Sequence, residues 1–459
     1  MENVGKTQEK EERLYRSVFW RLIPILFISY LIAYLDRVNI GFAKLQMLDD
    51  LGFSNEVYAL GASIFFLGYC ACETPSNILM YRLGARVWIS RIMVTWGTVS
   101  LAMAFTGDIA HGLHVDAHWV FYALRLLTGV FEAGFFPGVV LYLNYWYPTG
   151  RQSQVLSKFM LALPVSLALG GPLSGGVMTT MERVSGLASW QWLFILEAAP
   201  ALILGVIVFF TLPSRIQDAR WLTPADQALL DSRLSLRPAP HKKSGLRQAL
   251  VDRNYWLMIG IVLATNTGFY GLSFWLPTII HNAGIRTPLQ VGLVSAIPYA
   301  AAAIAMYLNG AHSRRTRERR LHMAIPMLIG GAGMILSALF AGHLVVSIGF
   351  ISIAAAGLIS MMPIIWSVPG SFLAPACLAA GIGLINTVGQ LGGILGAYIS
   401  NLAGHITGDV GNGTYVLGFI LVSAGILTLS MSRACFDETG AGTAEPGDIA
   451  GSERVRSVG

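Results

Sequence analysis

The chain has 459 residues, of which 54% are hydrophobic and 12% are charged, with a formal net charge of +6. Soluble proteins carry roughly 25% charged residues, so this chain lacks the polar side chains needed to cover a water-exposed surface. Its mean hydropathy is +0.60, and it contains no P-loop and no nucleophile–base motif. Composition therefore argues against a soluble protein, and the motifs against an enzyme or an ATP-driven pump. No cofactor is expected.

Twelve apolar runs are long enough to cross a membrane as helices, which takes ~20 residues for a hydrocarbon layer of ~30 Å. In chain order, spans 1 to 12 are predicted near 19–42, 57–80, 87–107, 117–140, 154–180, 191–212, 255–282, 289–310, 321–341, 344–366, 372–402 and 413–433. The runs are continuous, whereas a β-barrel shows short alternating segments. An all-α membrane protein is predicted.

The twelve spans fall into two sets of six. We expect an N-terminal six-helix bundle at 1–212, a cytoplasmic basic linker at 213–253, a C-terminal six-helix bundle at 254–436 and a disordered cytoplasmic tail at 437–459. Transporters built from two such halves bind substrate between them, near the midplane of the membrane. A central cavity is therefore predicted, and the chain is expected to function as a monomer.

The basic residues are distributed unevenly across this map. Of the 31 Lys and Arg residues, 26 fall on one side, and the opposite side keeps only Lys44, Arg183 and Arg286. Cytoplasmic loops carry such an excess, so both termini are expected in the cytoplasm and the chain in the inner (plasma) membrane. The same rule accounts for the basic loops, so no nucleic-acid partner is expected. The chain is expected to be surrounded by membrane lipid. Residues 1–18 are hydrophilic and no cleavage site follows the first run, so span 1 is expected to be retained.

The two remaining basic residues, Arg37 and Arg125, lie inside spans 1 and 4. Inserting a charged residue into the bilayer costs at least about 2.5 kcal/mol of free energy, so charged residues within spans usually have a function. A rise of about 1.5 Å per residue puts both arginines at one depth, about 10–12 Å below the outer boundary. The planar guanidinium matches a carboxylate or phosphate. The pair therefore predicts an anion-binding layer.

Two carboxylates accompany these arginines. Asp36 precedes Arg37, and Glu132 follows Arg125 by two helical turns on the same face. We expect them to neutralise the arginines in an empty site and to take up protons when an anion displaces them. Anion and proton binding would then reinforce each other, as symport requires. The alternative is two purely structural pairs, Asp36–Arg37 and Arg125–Glu132.

Further side chains within the spans complete the candidate set. Polar and aromatic candidates for the pocket are Tyr34, Tyr69, Asn266, Tyr270, Trp366, Ser367 and Asn386. Helix-to-helix hydrogen bonds are an equally good use of the amides. Glu73 and Glu197 are expected to act in packing or gating. Three histidines at 111, 114 and 118 lack matching Cys or carboxylate ligands, so no metal site is predicted.

Longer motifs occur in both halves of the chain. They are 34–43 (YLDRVNIGFA), 75–77 (PSN) with 82–86 (RLGAR), 125–138 (RLLTGVFEAGFFPG), 190–194 (WQWLF), 270–277 (YGLSFWLP) and 383–393 (GLINTVGQLGG). In these segments the chain resembles the anion:cation symporter family of the major facilitator superfamily. That family imports organic anions such as tartrate, phthalate, hydroxyphenylacetate and sugar acids, usually with protons.

The resemblance implies the major facilitator fold, with twelve transmembrane helices in two bundles around a central cavity. It also implies that Arg37 and Arg125 hold the carboxylate and that Asp36 and Glu132 handle protons. The pocket residues that it implies are Tyr34, Tyr69, Trp366, Ser367 and Asn386. Two loops depart from the superfamily pattern: Tyr81 stands before Arg82 instead of an acid, and 312–315 (HSRR) lacks an Asp.

The predicted function is secondary active import of a small organic anion by proton symport through alternating access. The anion is a mono- or dicarboxylate, a sugar acid or an aromatic acid. One alternative is a proton-coupled drug antiporter, since 171–176 (GPLSGG) partly matches an antiporter signature. Two arginines in the cavity suit cationic drugs poorly. The other alternative is an organic anion exchanger without proton coupling.

Overall fold

The structure is a computed structural model that describes residues 2–235, 250–373 and 378–436. Within these ranges the regular structure is helical, with α-helices, a few short 3-10 turns and no strand. Eleven segments are long and apolar enough to cross a membrane, and one bent pair of helices supplies a twelfth span if it is counted as one. The predicted all-helical membrane fold is confirmed.

The observed spans keep the numbering of the sequence map. Spans 1, 2 and 4 to 12 are Gln8–Leu51, Asn55–Leu83, Ala117–Asn144, Gln154–Thr180, Ser189–Thr211, Arg253–Asn282, Pro288–Thr316, Arg320–Leu339, Leu344–Phe372, Gly381–Thr407 and Val410–Ser430. Span 3 is the bent pair Ala85–Met103 and Thr106–Leu113, whose axes differ by 78°. Twelve crossings return the chain to its starting side. We call that side, where span 1 begins and span 12 ends, the terminal side and the other the distal side.

Three spans break beside polar side chains. Their two parts are Glu2–Val38 and Ile40–Leu51 in span 1, Ala117–Glu132 and Phe135–Asn144 in span 4, and Leu378–Gln390 and Gly392–Thr407 in span 11. The break in span 1 comes two residues after Arg37, and the other two directly follow Glu132 and Gln390. The break in span 4 uses Gly134, whose φ of +85° favours glycine. Irregular backbone at membrane depth is tolerated only where it is buried in protein or lines a water-filled cavity. The breaks are therefore expected to lie in the interior of the bundle.

Close packing of spans 2 and 4 brings their side chains together. A Cβ atom on Gly129 would lie 2.0 Å from the carbonyl oxygen of Phe65, whereas ordinary contact begins at 3.4 Å. Small residues allow helix backbones to approach in this way. The approach sets the Phe65 ring beside the part of span 4 that carries Arg125.

Contacts between spans follow the division of the chain. Spans 2 and 4, and spans 3 and 6, pack extensively within the first six, as do spans 9 and 12, and spans 8 and 10, within the last six. The two sets meet where span 5 packs against span 8, span 2 against span 11 and span 1 against span 7. The cleft between the sets therefore contains the breaks of spans 1 and 11.

The outer faces of the spans are apolar and exposed, as a lipid environment requires. Phe210, Val345 and Ile406 are 76%, 84% and 73% exposed. After span 6, helix Pro224–Ser235 forms part of the predicted linker. Residues 236–249 of that linker and the predicted disordered tail at 437–459 lie outside the described residues.

Candidate functional site

Arg37 is the centre of a buried polar cluster between the two sets of spans. It forms an ion pair with Glu132 of span 4, and its Nη1 donates a hydrogen bond to the Tyr270 hydroxyl of span 7 at 3.0 Å. Arg37 is 6% exposed and Glu132 1%. The Nε of Arg37 and the Oε2 of Glu132 have no hydrogen-bond partner. Because each member of this buried pair keeps one atom without a hydrogen-bond partner, the cluster can form hydrogen bonds with a further polar group.

Aromatic rings surround the Arg37 guanidinium. Its Cζ lies 5.0 Å from the ring centroid of Tyr34, 5.3 Å from that of Phe65 and 5.2 Å from that of Tyr69. Such cation–π contacts contribute ~0.5–2 kcal/mol each, with the larger values at desolvated sites. The structure thus brings together three tyrosines that were predicted separately: Tyr34 and Tyr69 as rings, and Tyr270 through its hydroxyl.

Arg125 lies on the other side of the same phenylalanine. Its Cζ is 4.9 Å from the Phe65 centroid, and its Nε donates to the Gly61 carbonyl oxygen at 3.2 Å. The residue is 3% exposed and its Nη2 has no hydrogen-bond partner. Within the described part of the chain it forms no ion pair. Arg125 is therefore a buried cation without a direct counter-charge, adjacent to the Arg37 cluster.

Among the described residues, Asp36 forms no hydrogen bond or ion pair with either arginine, although it lies close enough to Arg125 for electrostatic attraction. Its carboxylate accepts hydrogen bonds from Trp96 Nε1 at 2.8 Å, from Asn39 Nδ2 at 3.4 Å and from the Ser100 hydroxyl. Consecutive residues of a helix point in different directions, so Asp36 faces span 3 while Arg37 faces spans 4 and 7. The carboxylate is instead anchored by side chains of the neighbouring span.

The ion pair of the cluster joins residues from the two different pairs that the sequence suggested. Arg37 pairs with Glu132, whereas neither alternative pairing, Asp36–Arg37 or Arg125–Glu132, occurs among the described residues. Those alternatives join residues that are close in sequence. The observed pair depends on how span 1 packs against span 4, which residue spacing does not encode.

Asn386 lies in a second polar contact between the two sets of spans. Its Nδ2 donates to the Glu73 carboxylate of span 2, and the hydroxyl of Thr387 donates to the other carboxylate oxygen at 2.9 Å. Glu73 is 2% exposed. Asn386 is thus bound to Glu73 and not to the arginine cluster. Asn266, half-buried in span 7, lies against Gly389 of span 11.

Trp366 and Ser367 are separated from the arginines. They line a cavity of about 500 Å³ at the terminal side, between spans 5, 8 and 10. Aromatic contacts connect this cavity with the cluster: the Trp366 ring is 6.5 Å from Phe136, which is 5.5 Å from Tyr30, and Tyr30 is 5.0 Å from Tyr34. The basic side chains that line the cavity are Lys158, Arg314, Arg317 and Arg319.

Sequence reasoning missed several members of the site. Phe65, which contacts both arginines, stands in an apolar run that offers no signal. Gln390 was not missed, because its spacing from Asn386 places both on one face of span 11; it accepts a hydrogen bond from the Tyr270 hydroxyl at 3.1 Å. Trp96 and Ser100 are likewise one turn apart, so a polar face on span 3 could have been recognised.

The described residues contain no group of three or more His, Cys, Asp or Glu side chains positioned to hold a metal ion. His118 packs with Trp119 and Tyr122 at the distal end of span 4. The site therefore offers guanidinium, carboxylate, hydroxyl and amide groups for its chemistry.

Comparison with known proteins agrees with this architecture. Residues 26–397 match the family model described as Major Facilitator Superfamily. A putative metabolite transport protein NicT of Pseudomonas putida is 40% identical over 420 residues, which are 91% of this chain and 94% of that protein. A putative tartrate transporter of Agrobacterium vitis is 41% identical over 431 residues, 93% of each chain. A quinolone resistance transporter of Acinetobacter baumannii is 36% identical over 421 residues, 91% of this chain and 94% of that protein.

The fold is also shared with a solved structure. The crystal structure of a D-xylose-proton symporter superposes with a TM-score of 0.70 at 15% identity, covering 91% of this chain and 98% of that one. At this identity the likeness concerns the fold alone. The resemblance indicated by the sequence motifs is confirmed, and the relatives are transporters of small molecules rather than enzymes. The chain belongs to the major facilitator superfamily of membrane transporters.

Proposed function

We propose that this transporter imports a small organic anion by proton symport through alternating access. The anion is a mono- or dicarboxylate, a sugar acid or an aromatic acid. The observation that carries the proposal is the pair of buried guanidiniums at Phe65, Arg37 and Arg125, each with an unpartnered N–H group. A relative named as a putative tartrate transporter supports the same class of cargo.

The argument for an anion begins with the cost of buried charge. An unpaired charge in a low-dielectric interior is strongly unfavourable, and an unsatisfied buried donor costs about 1–3 kcal/mol. Arg125 carries both penalties in the empty site. A carboxylate that bridges Arg125 and Arg37 would supply the missing counter-charge and acceptors together. The aromatic rings of Tyr34 and Tyr69 would exclude water around it.

Glu132 provides the proposed link to protons. It holds Arg37 through one oxygen while the other has no partner. An anion that takes over Arg37 leaves this carboxylate buried without its counter-charge, and a buried carboxylate in that position binds a proton. Proton binding in turn releases Arg37 for the anion, so the two ligands favour each other. Asp36, with its bonds to Trp96 and Ser100, is the second proposed proton-handling group.

Alternating access follows from two inter-bundle contacts. We assign residues 1–212 and 254–436 to two bundles that rock against each other, with 213–253 as the linker. The distal side is closed by the packing of span 5 against span 8, and the terminal side is held in part by Glu73 and Asn386. Tyr270 and Asn266 would move with the second bundle. Trp366 and Ser367 would line the exit toward the terminal side.

Membrane orientation follows from the basic residues. Their excess on the terminal side supports a cytoplasmic position for that side and for both termini. The bacterial relatives favour the inner membrane, and one chain holds both bundles, so a monomer suffices.

One experiment tests this proposal. Purified protein in liposomes is given an inward proton gradient and a panel of L-tartrate, phthalate, 4-hydroxyphenylacetate and gluconate. At least one anion should accumulate, and a protonophore should abolish the accumulation. Arg125→Lys should raise the half-saturation concentration about 10–100-fold because it loses a forked, charge-assisted contact. The control Arg286→Lys, at an exposed distal position, should change nothing.

Two results would overturn the proposal or redirect it. Unchanged uptake in Arg125→Lys would show that Arg125 does not bind the anion. Equal anion uptake with and without the proton gradient, driven only by anion loaded inside, identifies an exchanger.

A drug exporter is the second candidate function, because one relative is named as a quinolone resistance transporter. Proton-driven efflux of norfloxacin from loaded liposomes, without uptake of any carboxylate, would select it. Two buried arginines with free N–H groups argue for the anion.

A further inference from the structure

A third buried cation lies on the distal side, outside the arginine cluster. Lys44 belongs to helix Ile40–Leu51, two turns beyond Arg37, and is 5% exposed. Its Nζ lies 3.6 Å from the ring centroid of Trp275 and 4.7 Å from that of Tyr58. The ammonium has no hydrogen-bond partner. Two aromatic faces therefore stabilise it in place of an acceptor.

Lys44 also lines a cavity of about 400 Å³ between the two sets of spans. Thr278 of span 7 lines the same cavity, and its Oγ1 is buried without a hydrogen-bond partner. Lys44 and Thr278, each with a buried polar atom that has no hydrogen-bond partner, thus line one cavity from opposite sides of the inter-bundle cleft. Apart from carboxylates, the other polar residues that line it are Asn55, His281, Asn282, Asn401 and His405.

Two carboxylates, Asp49 and Glu56, also line this cavity. Both side chains are exposed, whereas Lys44 is buried. Water and salt largely screen interactions between exposed charges beyond ~8–10 Å, whereas a buried charge is screened much less. The exposed acids therefore offset the charge of the buried Lys44 only in part.

We propose that this cavity is a second, distal anion site, in which Lys44 and Thr278 bind a carboxylate before it reaches Arg37 and Arg125. The identity of the carboxylate as cargo rests on the proposed function; the site itself does not. An ammonium–carboxylate hydrogen bond is charge-assisted and competes well with a cation–π contact. The bound anion therefore draws Lys44 away from Trp275.

This exchange of partners couples anion binding to opening of the distal side. Lys44 belongs to span 1 and Trp275 to span 7, so their contact joins the two sets of spans. The adjacent hydrogen bond from the Tyr58 hydroxyl to the Phe274 carbonyl oxygen, at 3.0 Å, joins span 2 to span 7 in the same way. Loss of the Lys44–Trp275 contact weakens this distal closure and opens the path to the arginines.

The test separates the two anion sites. Full-length protein with Arg125→Gln, which disables the central site, is titrated with L-tartrate by saturation-transfer NMR. Weak, saturable tartrate binding should remain. Adding Lys44→Met, which keeps the length of the side chain without its charge, should weaken this binding about tenfold or more. Adding Lys44→Arg instead should retain it.

Folding is checked through the single variant Lys44→Met, which should keep tartrate binding at the central site. If Lys44→Met leaves the weak binding unchanged, or if Arg125→Gln alone removes all binding, the distal site is refuted. Failure of the proposed function has a different signature, because wild-type liposomes would then take up no carboxylate of the panel. Lys44-dependent binding of tartrate would still be measurable in that case.

Discussion

Spans 5 and 8 pack so closely at the distal side that only glycine fits the contact. A Cβ atom on Gly171 would lie 2.5 Å from the carbonyl oxygen of Gly292, whereas ordinary contact begins at 3.4 Å. The obstructing atom belongs to the backbone, so no side-chain rotation relieves the overlap. In a close-packed interior, alanine at position 171 must therefore push the two spans apart by about 1 Å.

We predict that Gly171→Ala destabilises the distally closed state by about 1–3 kcal/mol, the usual cost of overpacking an interior. This free energy multiplies the ratio of distally open to closed protein by about 5–150. Gly176→Ala is the matched control in the same helix, since a Cβ atom there meets nothing within 4 Å. Both substitutions raise helix propensity equally, so their difference isolates the contact with span 8.

The assay reports access from the distal side. Leu45→Cys places a thiol at a half-buried position that lines the distal cavity. A membrane-impermeant maleimide added outside intact cells should label it faster in the Gly171→Ala background, by the factor given above, and at the parental rate with Gly176→Ala. The chain without Leu45→Cys gives the background labelling. Equal labelling in the two glycine variants would refute the view that this contact closes the distal side.

Three further predictions concern the buried polar groups. Glu132→Gln should abolish accumulation driven by a proton gradient but retain anion exchange in liposomes; persistent accumulation removes this residue from the coupling. Tyr270→Phe should weaken anion binding about 2–10-fold, measured by thermal shift, because the Arg37 guanidinium loses the hydroxyl that helps to hold it in place, while the buried control Tyr299→Phe should leave binding unchanged. Asn386→Ala should lower the unfolding temperature because it leaves the Glu73 carboxylate short of a donor. Adding Glu73→Gln should recover part of that loss, and strictly additive effects would show that the two side chains do not interact.

The membrane class, the helical spans and the charged residues within them could all be predicted from the residue pattern alone. Hydropathy over about 20 residues and the cost of a buried charge are properties of local composition, so no knowledge of packing was needed. For the same reason, Arg37, Arg125 and Glu132 could be selected before their surroundings were known. The break in span 1 was not predicted, whereas the glycines of spans 4 and 11 already favoured bending there.

Only the tertiary structure decided which groups meet. Arg37 pairs with Glu132, Asp36 turns toward Trp96, and Asn386 binds Glu73. Each of these contacts joins residues on different spans, and it depends on the rotation and separation of helices that close glycine contacts impose. A residue pattern records which face of a helix is polar, but the neighbour of that face is set by packing across the whole bundle.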